Sequence, residues 1–339
     1  MSGMVGADRV ALEGARDALE AEAVLLSVRE LTVTYGLGSR HPVRAVAGVS
    51  LDIRTGHTLA LIGESGSGKT SVARAICGLA PVESGSIVID GVDLVSEPDR
   101  PAAAGEHGIQ IVFQDPTSSL DPRWPIWRSV AEPLLRRVSD PHERHERALT
   151  LLEQVGIDRS LGERHPHQLS GGQRQRVTIA RALAPRPRLV ILDEAVSALD
   201  VSVRNEILVL LDQLKRQEGL TYLLISHDMG TVAQLATDVA VMYLGRLVES
   251  GEATKVICDP VHPYTRALLA AVPTVSGGTV ELSLGLQGEI GDVAHPPTGC
   301  RFHPRCPLAV ERCVGQEPDL RPVRDRLTAC HRAEEVVGG

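Results

Sequence analysis

The feature that most constrains the fold of this chain is a strand–turn–helix segment over residues 59–74. The apolar run Leu59–Ile62 indicates a buried strand, and the residues from Ser71 onward indicate a helix. The glycine-rich turn between them, residues 63–70, fits the pattern G-x-x-x-x-G-K-S/T. Its glycines allow backbone N–H groups to curve around an anion, and the helix N-terminus adds partial positive charge. A turn with a chance lysine is the alternative, and the flanking strand and helix disfavour it. The segment therefore predicts a nucleoside triphosphate site.

The side chains of this turn indicate how the nucleotide is held. Lys69 is placed to bridge the terminal phosphates, and the Thr70 hydroxyl is a ligand for Mg²⁺. Tyr35 ends a predicted strand one hairpin before the turn, in a chain with only 2% aromatic residues, and we expect it to stack on the base. The predicted nucleotide contacts are Tyr35, Gly63, Glu64, Ser65, Gly66, Ser67, Gly68, Lys69, Thr70 and Ser71.

Length and charge narrow the class of protein. The 339 residues suggest one large or two modest domains, and 43% hydrophobic residues suffice for a substantial core. A net charge of −8 disfavours nonspecific binding to nucleic acid. The sequence has neither a membrane-spanning apolar run nor a secretory signal, so we expect a cytosolic protein that can still attach to a membrane partner.

Strand and helix patterns alternate along most of the chain. Residues 25–35 alternate apolar and polar side chains, whereas residues 189–192 and 223–225 are continuously apolar. Residues 109–113, which are apolar except for Gln110, indicate another buried strand. Such alternation around a phosphate turn predicts a parallel sheet with the site at its carboxyl ends. Residues 97–107 are polar and rich in Pro and Ala, and we expect a loop there.

Two further segments have patterns that predict an inserted subdomain and a second anion-binding helix start. Prolines and then helical patterns follow Asp115 up to about Leu169, which predicts an inserted helical subdomain. Ser170 precedes two glycines and a helical run, so it predicts a second helix N-terminus able to hold an anion.

The complete set of motifs resembles the ATP-binding subunits of ABC transporters. It consists, in family order, of the phosphate turn, Gln114, Leu169–Gln173, Val190–Glu194, Ser197–Asp200 and His227. Only one set is present, so the chain resembles a single nucleotide-binding domain. The resemblance implies an α/β P-loop NTPase (RecA-like) core with an antiparallel β subdomain, an inserted helical subdomain and a small Cys-containing C-terminal extension. The expected limits are an N-terminal extension at 1–24, an ABC ATPase domain at 25–255 with its helical subdomain at about 115–172, and the C-terminal extension at 256–339.

The resemblance also implies a role for each motif. The catalytic residues would be Glu194 as general base, His227 at the γ-phosphate and Gln114 at the water or metal. The Mg²⁺ ligands would be Thr70, Gln114 and Asp193. A second set would close over ATP bound by a partner subunit, so that two subunits enclose two nucleotides: Ser170, Gly171, Gly172, Gln173 and Asp200.

Three further stretches resemble the dipeptide/oligopeptide importer branch, and in particular its F-type subunit. They are residues 113–123, 165–177 and 262–269. This resemblance implies ATP hydrolysis coupled to peptide import at the cytoplasmic face of the cell membrane. The implied partners are a second ATPase subunit, two integral-membrane permease subunits and an extracytoplasmic solute-binding protein, without nucleic acid. Trp124, Ile126 and Trp127 are candidates for docking a permease, burial inside the subdomain being the alternative.

Four of the cysteines lie near the C-terminus. They are Cys300, Cys306, Cys313 and Cys330, and no C-x-x-C knuckle typical of zinc sites joins them. Four thiolates suit an iron–sulfur cluster, and similar tails in this importer branch imply a [4Fe–4S] cluster. A zinc ion and free thiols are the alternatives.

Two other functions compete with transport. A soluble ABC ATPase acting on nucleic acid or the ribosome, with the cysteines as a zinc module, usually carries two cassettes or a long coiled-coil insertion. A stand-alone P-loop kinase does not require the segment Leu169–Gln173, so the presence of that segment disfavours this function.

Overall fold

Two β-sheets carry the fold, and the predicted nucleotide site lies where they meet. The computed structural model describes residues 23–97, 99–270 and 291–338. The predicted N-terminal extension thus falls almost entirely outside the described residues, and Val24 already begins the first strand. Within the described residues, no helix is long and apolar enough to cross a bilayer.

The predicted strands are present with small shifts at their ends, and β5 and β9–β12 are strands that were not predicted. They are β1 Val24–Tyr35, β2 Val43–Arg54, β3 Thr58–Ile62, β4 Ser84–Ile89, β5 Val92–Asp93, β6 Ile109–Val112, β7 Leu189–Asp193, β8 Thr221–Ile225, β9 Asp238–Tyr243, β10 Arg246–Glu252, β11 Arg321–Val323 and β12 Arg326–Thr328.

The α-helices of the described residues connect these strands. They are α1 Lys69–Ile76, α2 Arg100–Glu106, α3 Pro116–Ser119, α4 Ile126–Ala131, α5 Pro141–Gln154, α6 Gly171–Leu183, α7 Val201–Glu218, α8 Met229–Leu235, α9 Ala253–Cys258, α10 Pro263–Ala270, α11 Glu311–Gly315 and α12 Ala333–Gly338.

The larger sheet has the order β11-β12-β10-β9-β3-β8-β7-β6. Its pairs β3–β9, β3–β8, β7–β8 and β6–β7 are parallel, as predicted, whereas the strands from β9 towards β11 pair antiparallel. The smaller sheet, β2-β1-β4-β5, is wholly antiparallel and corresponds to the predicted β subdomain.

Strand β3 shows why the continuously apolar runs lie at the centre. All five of its residues are buried, and successive side chains enter different cores. Leu59 and Leu61 pack with β1, β2 and α1, whereas Ala60 and Ile62 pack with β7–β9 and the helices after β6. A strand covered on both faces needs apolar residues at every position. The apolar run before the phosphate turn is therefore explained by layers on both sides.

The loop prediction for residues 97–107 is wrong, because α2 occupies Arg100–Glu106. The carboxylate of Asp99 accepts the backbone N–H of Ala102, which caps the helix N-terminus. Pro101 lies in the first turn, where its missing N–H costs no hydrogen bond. The alanines that follow are strong helix formers, and they outweigh the polar composition on which the prediction relied.

Short helices and 3₁₀ turns do fill the stretch between β6 and α6, where an inserted helical subdomain is predicted. Asp115 and Asp140 cap α3 and α5, and a proline follows each cap directly. The exact limits of the subdomain, 115–172, stay a prediction.

The region after residue 256 is joined to the main sheet. Strand β12 pairs with β10 through Glu249↔Thr328 and Ser250↔Leu327. The fully buried carboxylate of Glu249 accepts the N–H groups of Val261 and His262, both at 2.9 Å. This region therefore contributes two strands and a buried polar connection to the framework that carries the phosphate turn.

Candidate nucleotide-binding site

The phosphate turn has a backbone that only glycine accommodates at two positions. Gly63 and Gly68 have φ values of +149° and +105°. A Cβ at Gly63 would lie 2.2 Å from the carbonyl oxygen of Met242, and one at Gly68 would lie 2.4 Å from that of Ala45. Both neighbours are backbone atoms of sheet strands and cannot move aside. The turn is thus fixed between β2 and β9.

The open side of the turn faces solvent at Ser65 and Gly66, which are exposed. Ser67 is buried, and its carbonyl oxygen accepts the backbone N–H of Gly245. Tyr35 lies near the start of α1, where its hydroxyl donates to Ser71 Oγ at 3.3 Å. The predicted nucleotide contacts therefore lie around the turn and the start of α1, and base stacking by Tyr35 stays a prediction.

Lys69 lies inside this turn. Its Nζ donates to the carbonyl oxygens of Gly63 and Glu64 at 2.8 Å and to Ser67 Oγ at 3.2 Å, and the residue is only 6% exposed. Burial lowers the pKa of Lys69, while nearby carboxylates, that of Glu194 foremost, oppose the shift. The turn thus holds a cation at its centre, which suits a phosphate.

A hydroxyl and a carboxylate meet beside Lys69. Thr70 Oγ1 donates to Asp193 Oδ1 at 3.2 Å, although 123 residues separate them in sequence. Burial raises the pKa of Asp193, because desolvation disfavours its charged form. A pair of oxygen ligands at the end of β7 fits the ligand preference of Mg²⁺. The site can hold the predicted metal.

Glu194 and His227 face each other across the ends of β7 and β8. His227 Nδ1 lies 3.2 Å from Glu194 Oε1. The φ of Glu194 is +50°, in the left-handed region that residues other than glycine seldom adopt. Its backbone N–H donates to the carbonyl of Ile225, which holds this conformation. Such strain occurs preferentially at functional sites, and here it fixes a carboxylate beside a histidine.

Gln114 reaches the same edge from the end of β6. Its Nε2 donates to Ser197 Oγ at 3.4 Å, and Ser197 Oγ donates to the carbonyl of Glu194 at 2.9 Å. The predicted catalytic residues are therefore connected through Ser197, which the sequence placed in a motif without giving it a role of its own.

The predicted partner-facing segment forms the start of α6. Ser170 Oγ accepts the Gln173 N–H at 3.2 Å, and Gln173 Oε1 accepts the Ser170 N–H at 2.9 Å, a reciprocal capping box. A Cβ at Gly172 would lie 2.5 Å from Val203 Cγ1, so α6 approaches α7 closely there. Asp200 caps α7. The structure thus brings the signature and Asp200 to neighbouring helix starts.

Comparison with known proteins places this arrangement in a family. A family profile described as "ABC transporter" matches residues 46–197, and one described as "Oligopeptide/dipeptide transporter, C-terminal region" matches residues 248–313. The chain is 42% identical over 320 residues to the Di/tripeptide transport ATP-binding protein DppF of Pseudomonas aeruginosa. That alignment covers 93% of this chain and 99% of the relative. The chain belongs to the ABC-transporter ATP-binding family, in its oligopeptide/dipeptide branch.

Two further comparisons agree with that assignment. The Dipeptide transport ATP-binding protein DppF of Haemophilus influenzae is 41% identical over 85% of this ABC-family chain and 89% of its own length. The ATP-binding cassette MJ0796, solved as a dimer in a post-hydrolysis state bound to ADP and Pi, has a TM-score of 0.61 and 28% identity, covering 67% of this chain and 98% of that one. The predicted ABC fold is confirmed, and these relatives lend no support to the nucleic-acid or ribosome alternative.

One ion pair beside the ABC site was not predicted. Arg204 of α7 donates to Asp228 Oδ2 at 3.0 Å and to the carbonyl of Leu199 at 3.1 Å. It thereby joins the segment before Asp200 to the residue after His227. An arginine on a helix carries no sequence signal for this contact, because its partner lies on another strand end.

The four C-terminal cysteines converge in this structure. All of them line one small cavity of about 10 Å³, together with His303 and His331. Burial, with smaller contributions from the neighbouring cysteines, raises the pKa of the Cys300 and Cys330 thiols to about 11. Among the described residues, no three His, Cys, Asp or Glu side chains are arranged to hold a metal ion.

Proposed function

We propose that this chain is the ATPase subunit of a peptide importer and hydrolyses ATP to drive transport. The observation that carries the proposal is the similarity over nearly the whole chain to a di/tripeptide transport ATP-binding protein. The convergence of Lys69, Asp193 and Glu194 at one sheet edge supports it, since phosphoryl transfer to water requires phosphate binding, metal ligands and a base.

Each residue of the site then has a distinct task. The turn over residues 63–71 cradles the phosphates, and Lys69 Nζ leaves its carbonyl partners to contact them. Thr70 and Asp193 would hold Mg²⁺, with Gln114 as the third predicted ligand. When bound, Mg²⁺ neutralises charge on the phosphate oxygens.

Glu194 polarises the attacking water as general base. His227, 3.2 Å from its carboxylate, orients the water and contacts the γ-phosphate. The left-handed backbone of Glu194 and its hydrogen bond to β8 keep the carboxylate in place. Ser170, Gly171, Gly172, Gln173 and Asp200 complete the site of a partner ATPase subunit.

The subunit would work at the cytoplasmic face of the cell membrane with two permease subunits, a second ATPase subunit and an extracytoplasmic solute-binding protein. Helix α4 offers a docking surface for a permease. Ile126 is fully buried, which fits the burial alternative. Trp124 and Trp127 are half-buried, and the exposed Arg128 guanidinium lies 4.5 Å from the centroid of the Trp124 ring. The two tryptophans are therefore the better docking candidates.

We propose that Cys300, Cys306, Cys313 and Cys330 hold a [4Fe–4S] cluster. Four thiols around one cavity are the donor set of such a cluster, and these four residues would hold it. The spacing of these cysteines lacks the C-x-x-C knuckle that is typical of zinc sites. The raised thiol pKa values imply that metal must displace protons, so assembly would be favoured as pH rises.

Protein purified without oxygen should then contain about four iron and about four sulfide per chain. Cys313→Ala, which removes one buried ligand, should lose the visible absorbance and most of the iron. Cys77→Ala should not, because Cys77 is buried at the C-terminal end of α1, in a different core cluster. Stoichiometric zinc, or iron content unaffected by Cys313→Ala, would refute the cluster.

Co-purification from membranes tests the transport assignment. We expect an affinity-tagged chain, extracted in mild detergent, to bring down two integral-membrane subunits and a second ATPase subunit. Retention on ribosomes or DNA, with no membrane subunits, would contradict the proposal and favour the nucleic-acid alternative.

A further inference from the structure

One arginine of the C-terminal region, Arg305, forms an ion pair with a residue of the phosphate turn. Arg305 Nη1 lies 2.7 Å from Glu64 Oε2, and Arg305 Nη2 lies 3.0 Å from Glu64 Oε1. This two-pronged ion pair joins residues 241 positions apart. Its side chains are only 6% and 14% exposed, so solvent screens the pair little. Glu64 belongs to the turn that binds phosphate, whereas Arg305 precedes Cys306.

A second contact holds the backbone of the same residue. The Glu64 N–H donates to the hydroxyl of Tyr264 in α10 at 2.8 Å. The Tyr264 ring packs against Tyr243 and Phe302, with centroids 4.6 and 5.4 Å away. All three rings are buried, in a chain with only four Tyr, two Phe and two Trp. The scarce aromatic residues thus form a rigid support beneath Glu64.

The negative charge of Glu64 affects phosphate binding because Glu64 lies within the phosphate turn. Its carboxylate is close enough to Lys69 to raise the pKa of that residue, against the larger effect of burial. A negative charge in an anion-binding turn opposes phosphate unless a cation neutralises it. Arg305 supplies that cation from outside the turn, and its planar fork fixes the orientation of the carboxylate through two hydrogen bonds.

We propose that Arg305 is a positioning residue of the ATP site, which neutralises and orients Glu64 so that the turn accepts a triphosphate. The inference rests on the proposed function to the extent that the turn binds ATP. The C-terminal region then contributes a residue to the ATP site, although all the ATP-site motifs recognised in the sequence lie before that region.

The test is a comparison of Mg·ATP and Mg·ADP dissociation constants, measured by titration calorimetry on the full chain. Arg305→Met keeps much of the side-chain volume but leaves the buried Glu64 carboxylate unpaired, and should weaken Mg·ATP binding by about tenfold or more. The double variant Glu64→Gln/Arg305→Met removes both charges and should recover most of that affinity. Arg29→Ala is the matched control: it breaks an equally two-pronged pair with Asp52, which is exposed and joins β1 to β2. It should bind as the unmodified chain does.

The melting temperature of each variant distinguishes a role in the site from a role in stability alone, because the double variant relieves the unpaired buried charge in both cases. We expect Arg305→Met to lose affinity while it remains folded at the titration temperature, and a loss of affinity that merely follows unfolding would overturn the inference. Equal affinity of Arg305→Met and the unmodified chain, or a double variant no better than Arg305→Met, would overturn the inference. Arg305→Lys is the second variant in case Arg305→Met does not fold. It keeps the charge but not the fork, so intermediate affinity is expected and unchanged affinity would overturn the assignment. An unmodified chain that fails to bind Mg·ATP would instead refute the proposed function.

Discussion

Glu194→Gln should abolish ATP turnover in the assembled transporter and leave ATP binding intact. The substitution keeps the shape of the side chain but removes the base that we assign to the attacking water. Loss of a general base lowers the rate by about 10²-fold or more. Phosphate release by the purified complex measures the loss, and titration with Mg·ATP measures the retained affinity.

The matched control for Glu194→Gln is Glu218→Gln, at the exposed end of α7. It makes the same chemical change and should leave turnover unaltered. Hydrolysis by Glu194→Gln at the rate of the unmodified complex would remove Glu194 from the role of base.

Lys69→Met should weaken ATP binding itself. Lys69 Nζ is buried in the turn, with two carbonyl oxygens at 2.8 Å that a phosphate can replace. Loss of a charge-assisted contact with the phosphates costs about 3 kcal/mol, which corresponds to roughly 10²-fold in affinity. The dissociation constant of Mg·ATP, measured by titration calorimetry, checks this.

Lys255→Met serves as the control for that experiment. Lys255 is an exposed lysine whose ammonium lies 2.9 Å from Asp325 Oδ2, and its loss should leave the Mg·ATP affinity as it is. Unchanged affinity in Lys69→Met would contradict the placement of the phosphates in this turn.

Much of the core could be predicted from local pattern. The continuously apolar runs identified β3, β7 and β8, since a strand covered on both faces has no position for a polar side chain. The carboxylates and the histidine after β7 and β8 indicated the site edge, because parallel strands end on the same side. Helix α2 was missed because its cap and alanines were given less weight than its composition.

Contacts between segments far apart in the chain could not be predicted from the sequence. Nothing near Arg305 in the chain indicates Glu64, and nothing near Arg204 indicates Asp228. Each pair depends on how strands and helices pack, and the Arg305 pair also depends on the aromatic support formed by Tyr243, Tyr264 and Phe302. The antiparallel pairing of β10–β12 with the larger sheet could not be predicted either, because it too depends on contacts between segments far apart in the chain.

The most direct test of the account is peptide uptake by cells in which this chain is the only copy of the subunit. Labelled di- and tripeptides should accumulate in cells that produce the unmodified chain. They should not accumulate in cells that produce Glu194→Gln at equal membrane abundance. Equal uptake in both, or no dependence of uptake on the chain at all, would contradict the claim that ATP hydrolysis at this site drives peptide import.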